Sequence, residues 1–229
     1  DWFTKMDLLP LKDLIESMPD QSFYFVGGGD NLQYIELLKK ELNFENCQIL
    51  VNLPEQDKID LLRKCDIFIS PTDNYQETFG LAVIEAMSFS CVPIVNDFDG
   101  YRDLLIDNES GFLVPTIAAK IPEELLSIQG MVGENIYHAW WAGAVSYEPR
   151  IYIEKLKLLI DDRPKLMEMK KSAWQRAANF CPEKCTQRFV EILRRLKRKA
   201  ADSSVRTTFS WDFSDVFSAH PSSWWKDQK

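Results

Sequence analysis

The sequence predicts an α/β protein built on a doubly wound parallel sheet. Five short apolar runs, which begin near residues 22, 48, 66, 91 and 111, indicate buried strands because turn-forming residues bound them. Successive runs start 18 to 26 residues apart, and helix-forming residues separate them. Strand and helix alternating at this spacing are typical of βαβ units, whose strands run parallel. Ligands of such sheets bind at the carboxyl ends of strands, so we expect a site in the loops that follow them.

The elements of the N-terminal quarter each have a local signal. Apolar residues recur every three or four positions in the first helix, and Pro19 ends it. Three glycines after the first strand allow a tight turn, and Pro54 suits the first turn of the third helix. The predicted elements are a helix over residues 8–18, a strand over 23–26, a helix over 32–42, a strand over 48–51 and a helix over 55–64.

The most informative stretch is residues 66–97, which predicts a strand, a loop, a helix and a second strand. An apolar run over residues 67–69 stops at Pro71, and a polar loop follows it. Residues 81–89 are good helix formers with no internal Gly or Pro. Residues 92–95 are the next apolar run, so the stretch forms one complete βαβ unit.

Two carboxylates stand eight positions apart in this unit, Glu77 before the helix and Glu85 within it. The amides of Gly80 and Leu81 would lie at the helix N-terminus, where the dipole favours an anion such as a diphosphate. Gly80 has no Cβ, so a ligand can approach the backbone closely. Glu85 would lie roughly 7 Å further along the helix, within reach of ribose hydroxyls. The unit therefore predicts a nucleotide-diphosphate site.

This unit resembles the donor-site signature of family 4 retaining glycosyltransferases. The letters that carry the resemblance are E-T-F-G-L-A-V-I-E-A-M followed by V-P-I-V. It extends to F-Y-F-V-G-G-G-D at residues 23–30 and to D-G-Y-R-D-L-L-I-D-N-E-S-G-F-L-V-P at residues 99–115. The family has the GT-B architecture of two Rossmann-like domains, and the resemblance identifies this chain with the C-terminal, donor-binding one.

The resemblance implies a role for each site residue. Glu85 would bind the donor ribose, and Glu77 would orient the transferred sugar as a catalytic residue. Lys5 would be the second catalytic residue, neutralising the diphosphate, although it equally fits a plain surface lysine. Core packing explains Val51 and Leu53 equally well. The residues implied to bind the donor are Gly28, Gly29, Val51, Leu53, Thr78, Phe79, Gly80, Leu81 and Glu85.

The implied reaction transfers a sugar from a nucleotide-diphosphate donor with retention of anomeric configuration, without a metal and without a cofactor. The implied partners are the nucleotide sugar, an N-terminal GT-B domain missing from this sequence, and a glycan or lipid-linked acceptor. This chain would then be inactive as an isolated fragment. The alternatives are a GT-B nucleotide-sugar epimerase, a phosphorylase, and a non-catalytic nucleotide-binding or scaffold module.

The sequence departs from the family pattern at two places. Ser90 stands where the family usually has the glycine that follows this helix, so the chain must turn there without it. Residues 99–103 replace a Gly- and Pro-containing loop that faces the transferred sugar in the family, and they introduce Arg102 beside Asp103. Altered donor choice and neutral drift both explain the second departure.

We expect four parts: a Rossmann-like nucleotide-sugar-binding core over residues 1–116, an insertion over 117–149, C-terminal helices over 150–200 and an irregular tail over 201–229. The insertion is too rich in aromatic residues for disorder, so it is either a packed excursion or an acceptor-binding flap. The C-terminal helices are predicted over residues 151–160, 163–180 and 183–199.

The composition excludes some classes of function. A formal charge of −8 argues against nucleic acid as a partner, which needs a basic face. No run reaches the ~18 apolar residues of a membrane span. Five scattered cysteines indicate reduced thiols in a cytoplasmic protein. The basic residues 194–199 complement a helix dipole or contact anionic lipid, which leaves peripheral membrane contact open.

Overall fold

A computed structural model describes residues 11–28, 32–72, 79–118, 131, 145–195 and 223–224. Within these residues the protein is α/β with parallel strands joined by helices, as the sequence predicts. The strands are β1 (Phe23–Gly27), β2 (Cys47–Val51), β3 (Ile67–Ser70), β4 (Val92–Asn96), β5 (Phe112–Val114), β6 (Thr116–Ala118), β7 (Val145–Tyr147) and β8 (Ser223–Trp224). The helices are α1 (Lys12–Glu16), α2 (Leu32–Glu41), α3 (Glu55–Leu62), α4 (Leu81–Ser88), α5 (Tyr101–Leu104), α6 (Pro149–Asp161), α7 (Arg163–Ala177) and α8 (Pro182–Arg195), with a 3₁₀ turn at Ala178–Phe180.

The five predicted strands form two parallel sheets. β1 pairs with β2, and Phe23 lies opposite Cys47. β3 pairs with β4, and β4 pairs with β5. A groove of about 730 Å³ runs between β1 and β3, and we call it the β1–β3 groove. The single sheet that the sequence predicts is thus interrupted at this point.

Helices cover both faces of β4, which is what doubly wound means. Side chains alternate between the faces of a strand. Val92 and Ile94 pack into a first core with α1, α2 and α6, whereas Val95 packs into a second core with α4, α5 and α7. All five residues of β4 are buried, so this strand is the centre of the described fold.

The helices that follow β7 begin at well-formed caps. The Glu148 side chain accepts a hydrogen bond from the Arg150 amide, and Pro149 occupies the first turn of α6. The Asp162 side chain caps α7 in the same way through the Lys165 amide. The buried residues of α7 recur at helical spacing and are Leu166, Met169, Ala173 and Ala177. The first two lie in the first core and the last two in the second core.

Helix α4 ends in a Schellman turn made without glycine. The Cys91 amide donates to the Ala86 carbonyl at 3.0 Å, and the Ser90 amide donates to the Met87 carbonyl at 2.9 Å. Ser90 has φ +65°, the left-handed conformation that usually favours glycine. The chain therefore turns here without glycine, as the sequence predicts, and the backbone of Ser90 is strained because its Cβ lies too close to the following carbonyl oxygen.

Some elements differ from their predicted bounds. The first helix spans Lys12–Glu16 rather than residues 8–18, of which 8–10 lie outside the described residues. The predicted loop at residues 99–103 contains helix α5, because Tyr101 and Leu104 are buried in the second core. An apolar pair three positions apart gives a short helix a buried side.

The ends of the predicted insertion are paired with each other. β6 and β7 are antiparallel, and Thr116 lies opposite Tyr147. Between these two strands only residue 131 is described, so the predicted packing of the insertion lies outside the described residues. From the predicted tail, the structure describes β8 alone, which runs parallel to β6.

Candidate functional site

Glu85 lies on α4 with its side chain 40% exposed, outside both cores. Its Oε1 accepts a hydrogen bond from Nζ of Lys58 on α3 at 2.9 Å. The Glu55 carboxylate lies 3.1 Å from the same ammonium. The hydrogen bond that Lys58 donates to Glu85 raises the pKa of Lys58 above its ordinary value, so this ammonium is charged at neutral pH. The pair places one acceptor and one cation side by side.

The pair lies at the carboxyl end of the β1–β3 groove. We call the residues at this end the carboxyl rim, and they are Gly28, Asn52, Leu53, Glu55, Lys58, Ala82 and Glu85. They come from the loops after β1 and β2 and from the helices α3 and α4. Three of the predicted donor-binding residues, Gly28, Leu53 and Glu85, are thus brought together where ligands of parallel sheets bind.

The loops after β1 and β2 touch each other at the carboxyl rim. A Cβ on Gly28 would lie 2.9 Å from Oδ1 of Asn52, so any larger residue would displace the Asn52 amide. Asn52 has φ +53°, a conformation that asparagine tolerates better than most residues. Its amide adds a hydrogen-bond donor and acceptor to the rim beside Glu85.

Gly80 is required for packing against α5. It caps the N-terminus of α4 with φ +92°, and its carbonyl accepts the Val83 amide at 3.0 Å. A Cβ at this position would lie 2.4 Å from the ring of Tyr101 and 2.9 Å from the Leu104 side chain. The space beside Gly80 that was predicted to admit a ligand is therefore filled by Tyr101 and Leu104 on this side.

A buried hydrogen-bond network holds the start of the loop between β3 and α4. The Tyr101 hydroxyl lies 3.0 Å from Oγ of Ser70 and 3.1 Å from Oγ1 of Thr72. The Asn96 amide donates to the Thr72 carbonyl at 2.9 Å, and its Oδ1 accepts the Tyr152 hydroxyl at 2.8 Å. Buried polar groups that satisfy one another specify a single arrangement, so Thr72 leaves the sheet at a fixed point.

Arg102, which marks the second departure from the family pattern, is bonded within the protein. Its Nε donates to the Asp97 carboxylate, and its terminal nitrogen donates to the Asp97 carbonyl at 3.2 Å. Asp97-Phe98-Asp99 is an Asp-x-Asp sequence of the kind that holds cations, but Arg102 already neutralises Asp97. Among the described residues, no group of three His, Cys, Asp or Glu side chains is placed to hold a metal ion.

The remaining predicted site residues are placed differently. Val51 packs against the first core and does not border the groove, which fits the alternative prediction of core packing for this residue. Phe79 and Leu81 are exposed at the tip of α4, and the Phe79 ring meets Phe180 edge-on at 6.2 Å between centroids. Four predicted residues lie outside the described residues: Lys5, Gly29, Glu77 and Thr78.

Sequence reasoning missed Lys58, Asn52 and Tyr101. Lys58 lies three positions after Glu55, and this spacing is typical of an exposed ion pair within one helix. The sequence therefore gave no reason to expect that Lys58 also contacts Glu85 on α4. An asparagine directly after a strand was the available signal for Asn52. Nothing in the sequence predicts that Tyr101 packs on Gly80, because the two residues meet only in the fold.

The five cysteines are free thiols, as predicted. Burial raises the pKa of Cys47 to about 11 and that of Cys91 to about 12. Both thiols are therefore protonated at neutral pH, and burial lowers their reactivity. Among the described helices, none is both long enough and apolar enough to cross a lipid bilayer.

Part of the chain is similar in sequence to a mycobacterial mannosyltransferase. It is 30% identical over 113 residues to a phosphatidyl-myo-inositol mannosyltransferase of Mycobacterium tuberculosis. The match covers 48% of this chain and 28% of the relative. The chain thus matches little more than a quarter of that enzyme.

Solved structures share the fold. Sucrose-phosphate synthase from Thermosynechococcus elongatus superposes with a TM-score of 0.61 at 19% identity, covering 84% of this chain and 43% of that one. Anabaena HepE in complex with UDP and glucose gives a TM-score of 0.59 at 17% identity, covering 84% and 45%. These similarities support the predicted Rossmann-like fold of GT-B type.

A family model described as "Glycosyl transferases group 1" matches residues 7–127. The matched region includes every strand of the two parallel sheets and the whole carboxyl rim. It is more than half of the 229 residues. The chain therefore belongs to the glycosyl transferases group 1 family.

Proposed function

We propose that this chain binds a nucleotide-diphosphate sugar and supplies the donor-binding half of a retaining glycosyltransferase. The observation that carries the proposal is the grouping of Glu85, Lys58, Gly28 and Leu53 at the carboxyl rim, one helical turn from the exposed N-terminus of α4. A carboxylate, a cation and a close backbone approach are the features that a ribose and a diphosphate need.

The ribose hydroxyls donate to Glu85 in the proposed complex. This carboxylate is already oriented by Lys58, and its 40% exposure leaves an oxygen accessible to a ligand. The diphosphate lies toward the N-terminus of α4, where the Leu81 amide belongs to the positive end of the helix. The base enters between the loops of Gly28 and Leu53, at the other side of the rim.

The proposed chemistry depends on stabilising the departing diphosphate. Preorganised amides at a helix N-terminus stabilise charge as it develops, without reorganisation during the reaction. Lys5 is the proposed second source of positive charge, and Glu77 the proposed group that orients the sugar. The anomeric configuration is retained, and no metal takes part in the proposed reaction.

The proposed acceptor and partner follow from the similar proteins. The mycobacterial relative is named for transfer to phosphatidyl-myo-inositol, which supports a lipid-linked acceptor over a free sugar. The match covers 28% of that enzyme, so we propose that an N-terminal GT-B domain binds the acceptor. UDP is bound by Anabaena HepE, which makes it the first nucleotide to test.

Calorimetric titration of the chain with UDP, GDP and ADP tests the proposal. We expect one of the three nucleotides to bind. Glu85→Gln should lower the affinity for that nucleotide by at least about tenfold, because a hydrogen bond to a charged group contributes roughly 1.5–3 kcal/mol. Asp60→Asn is the matched control, since Asp60 also lies on α3 and forms an exposed ion pair, with Arg63, but does not border the groove. We expect its affinity to equal that of the wild type.

A 2′,3′-dideoxy form of the nucleotide that binds separates ribose recognition from general charge effects. We expect the wild type to lose affinity for the dideoxy form and Glu85→Gln to show no further loss, since the two changes remove the same hydrogen bonds. Equal losses in Glu85→Gln and Asp60→Asn would contradict the proposal. So would the absence of binding by all three nucleotides.

A further inference from the structure

The tip of α4, residues 79–81, is held from two sides by other elements. On one side, Gly80 lies against α5, where a Cβ on Gly80 would collide with the ring of Tyr101. On the other side, the exposed Phe79 meets Phe180 of the 3₁₀ turn edge-on, with 6.2 Å between the ring centroids. The position of the tip therefore depends on where α5 and the 3₁₀ turn lie.

Arg176, in the last turn of α7, joins these two supports. Its Nε donates a hydrogen bond to the Leu104 carbonyl at 2.9 Å, and its terminal nitrogen donates to the Asp103 carbonyl at 2.6 Å. The same guanidinium lies over the ring of Phe180, 5.4 Å from the ring centroid. One side chain thus contacts both the end of α5 and the 3₁₀ turn.

The chemistry of a guanidinium suits both contacts of Arg176. Asp103 and Leu104 are the last two residues of α5, and carbonyls at the C-terminus of a helix carry partial negative charge. The face of an aromatic ring also attracts a cation that lies over it. A guanidinium is planar and holds its N–H donors in a fixed fork, so its two bonds to α5 also fix how it meets the ring. A lysine ammonium has the charge but not the fork.

The position of Arg176 relative to α4 is fixed by the burial of its neighbours. Ala173 and Ala177, which precede and follow Arg176 along α7, are buried in the second core with Val83 and Met87 of α4. Arg176 therefore belongs to a helix that packs directly on α4. It does not border the β1–β3 groove, so any effect on the candidate site acts through the tip of α4.

We propose that Arg176 is a positioning residue for the tip of α4, acting through α5 and through the contact between Phe180 and Phe79. This inference rests on the proposed function, in which the diphosphate of the donor lies at the tip. Amide donors stabilise a developing charge when they are already held in place before the reaction. Arg176 holds the amides of the tip in that arrangement without contacting the ligand.

The role of Arg176 concerns one part of the ligand. Glu85, which receives the ribose in the proposed complex, lies one helical turn beyond the tip and is oriented by Lys58. Loss of Arg176 should therefore weaken binding of the terminal phosphate and leave the ribose contact in place. The affinity for a nucleoside diphosphate relative to that for its monophosphate measures this difference.

Hydrogen exchange of backbone amides in the ligand-free chain tests whether Arg176 holds the tip. The Val83 amide donates to the Gly80 carbonyl at 3.0 Å, so its exchange depends on the structure of the tip. The reference is the amide of Ile94 in the buried strand β4, because a general loss of stability speeds exchange at both amides. We expect Arg176→Gln to speed exchange at Val83, relative to Ile94, by about fivefold or more, since the tip loses two supports.

Calorimetric titration tests whether the tip binds the diphosphate, with UDP and UMP taken first. We expect Arg176→Gln to lower the affinity for the diphosphate by about fivefold or more, and that for the monophosphate by less than about twofold. Partial unfolding lowers both affinities by the same factor, so it leaves their ratio unchanged. Arg176→Lys should restore the ratio only in part, because the ammonium keeps the charge without the fork. Complete recovery would overturn the bridging role, since charge alone would then be sufficient.

Lys171→Gln is the matched control, because Lys171 is an exposed cation on the same helix and takes no part in these contacts. Its exchange at Val83 and its affinity ratio should equal those of the wild type. Unchanged exchange at Val83 in Arg176→Gln would overturn the proposal, and so would an unchanged affinity ratio. Absence of nucleotide binding by the wild type would instead overturn the proposed function, and the exchange at Val83 would still decide whether Arg176 holds the tip.

Discussion

Glu85 is a charged residue in an otherwise apolar stretch of α4, and much of the candidate site depends on it. Its neighbours Val83, Ala86 and Met87 are buried, whereas Glu85 faces α3 and forms an ion pair with Lys58. A ligand that donates to Glu85 shares or displaces Lys58. In the proposed complex, the displaced ammonium stays at the rim and attracts the diphosphate. The ion pair is partly exposed, so its own contribution to stability is small.

The strain at Ser90 gives a prediction for stability. Ser90→Gly should raise the free energy of unfolding by about 0.5–1 kcal/mol, because relief of a left-handed residue gains roughly 1–2 kcal/mol and the extra backbone entropy of glycine offsets part of it. Urea unfolding followed by circular dichroism measures the change.

Ser88→Gly is the control for this prediction. Ser88 is the last residue of α4, and its hydroxyl donates to the Glu85 carbonyl at 2.6 Å. Glycine there should destabilise the protein, since the residue is helical. If both variants changed stability in the same direction, the left-handed conformation of Ser90 in solution would be refuted.

At the scale of elements, the tip of α4 is shaped by its contact with α5. Gly80→Ala should destabilise the protein by roughly 2–4 kcal/mol, the sum of a left-handed alanine and an overpacked contact with Tyr101. The same variant should bind nucleotide more weakly, because the amides at the tip must move. Thermal unfolding and calorimetric titration measure the two effects.

Gly100→Ala is the matched variant for this test. Gly100 precedes α5 with φ −61°, a conformation that alanine adopts freely. We expect Gly100→Ala to be neutral or slightly stabilising, since alanine reduces the entropy of the unfolded chain. A Gly80→Ala protein as stable as Gly100→Ala would show that Tyr101 does not pack on Gly80.

The elements predictable from the sequence were those with a strong local pattern. The apolar runs at β1 to β5 predicted each strand to within a residue or two, and α2 and α4 were predicted almost to the residue. Helix α5 was missed because its four residues look like a loop, and only burial of Tyr101 and Leu104 makes them helical. Local propensity does not record such tertiary contacts.

The candidate site was predictable in part for the same reason. Glu85 and Gly28 follow from their position after apolar strands, and the structure brings them to one rim. Lys58 was not predictable, because 27 residues separate it from Glu85 and only the crossover of α3 joins them. The packing role of Gly80 was hidden, since a glycine at a helix start equally fits a ligand and a neighbouring ring.

At the scale of the whole molecule, buried thiols couple stability to pH. The Cys91 thiol donates to the carbonyls of Leu62 and Cys65, both at 3.4 Å, and burial raises its pKa from 9.0 to about 12. A raised pKa stabilises the folded state below pH 9, and this contribution is lost as pH rises toward 12. The unfolding free energy should therefore fall above pH 9, by up to about 1.4 kcal/mol per pH unit for this thiol.

Comparison with Cys91→Ala isolates that contribution. The wild type should be more stable than Cys91→Ala at pH 8. The difference between their free energies of unfolding should be smaller at pH 10.5. Urea unfolding at both pH values measures it. Cys185→Ala is the control, because Cys185 is exposed and its removal should leave the pH dependence unchanged. A constant difference for Cys91→Ala at both pH values would contradict a protonated buried thiol.

The placement of α7 on both cores has a consequence for where this protein can be divided. The match to the family model ends at residue 127, whereas α7 begins at Arg163. Leu166 and Ala173 of that helix occupy opposite sides of the fold, so deleting it would open both apolar interiors to solvent. The segment that matches the family model is therefore smaller than the unit that folds, and a shortened protein intended for ligand studies has to keep the chain through Ala177.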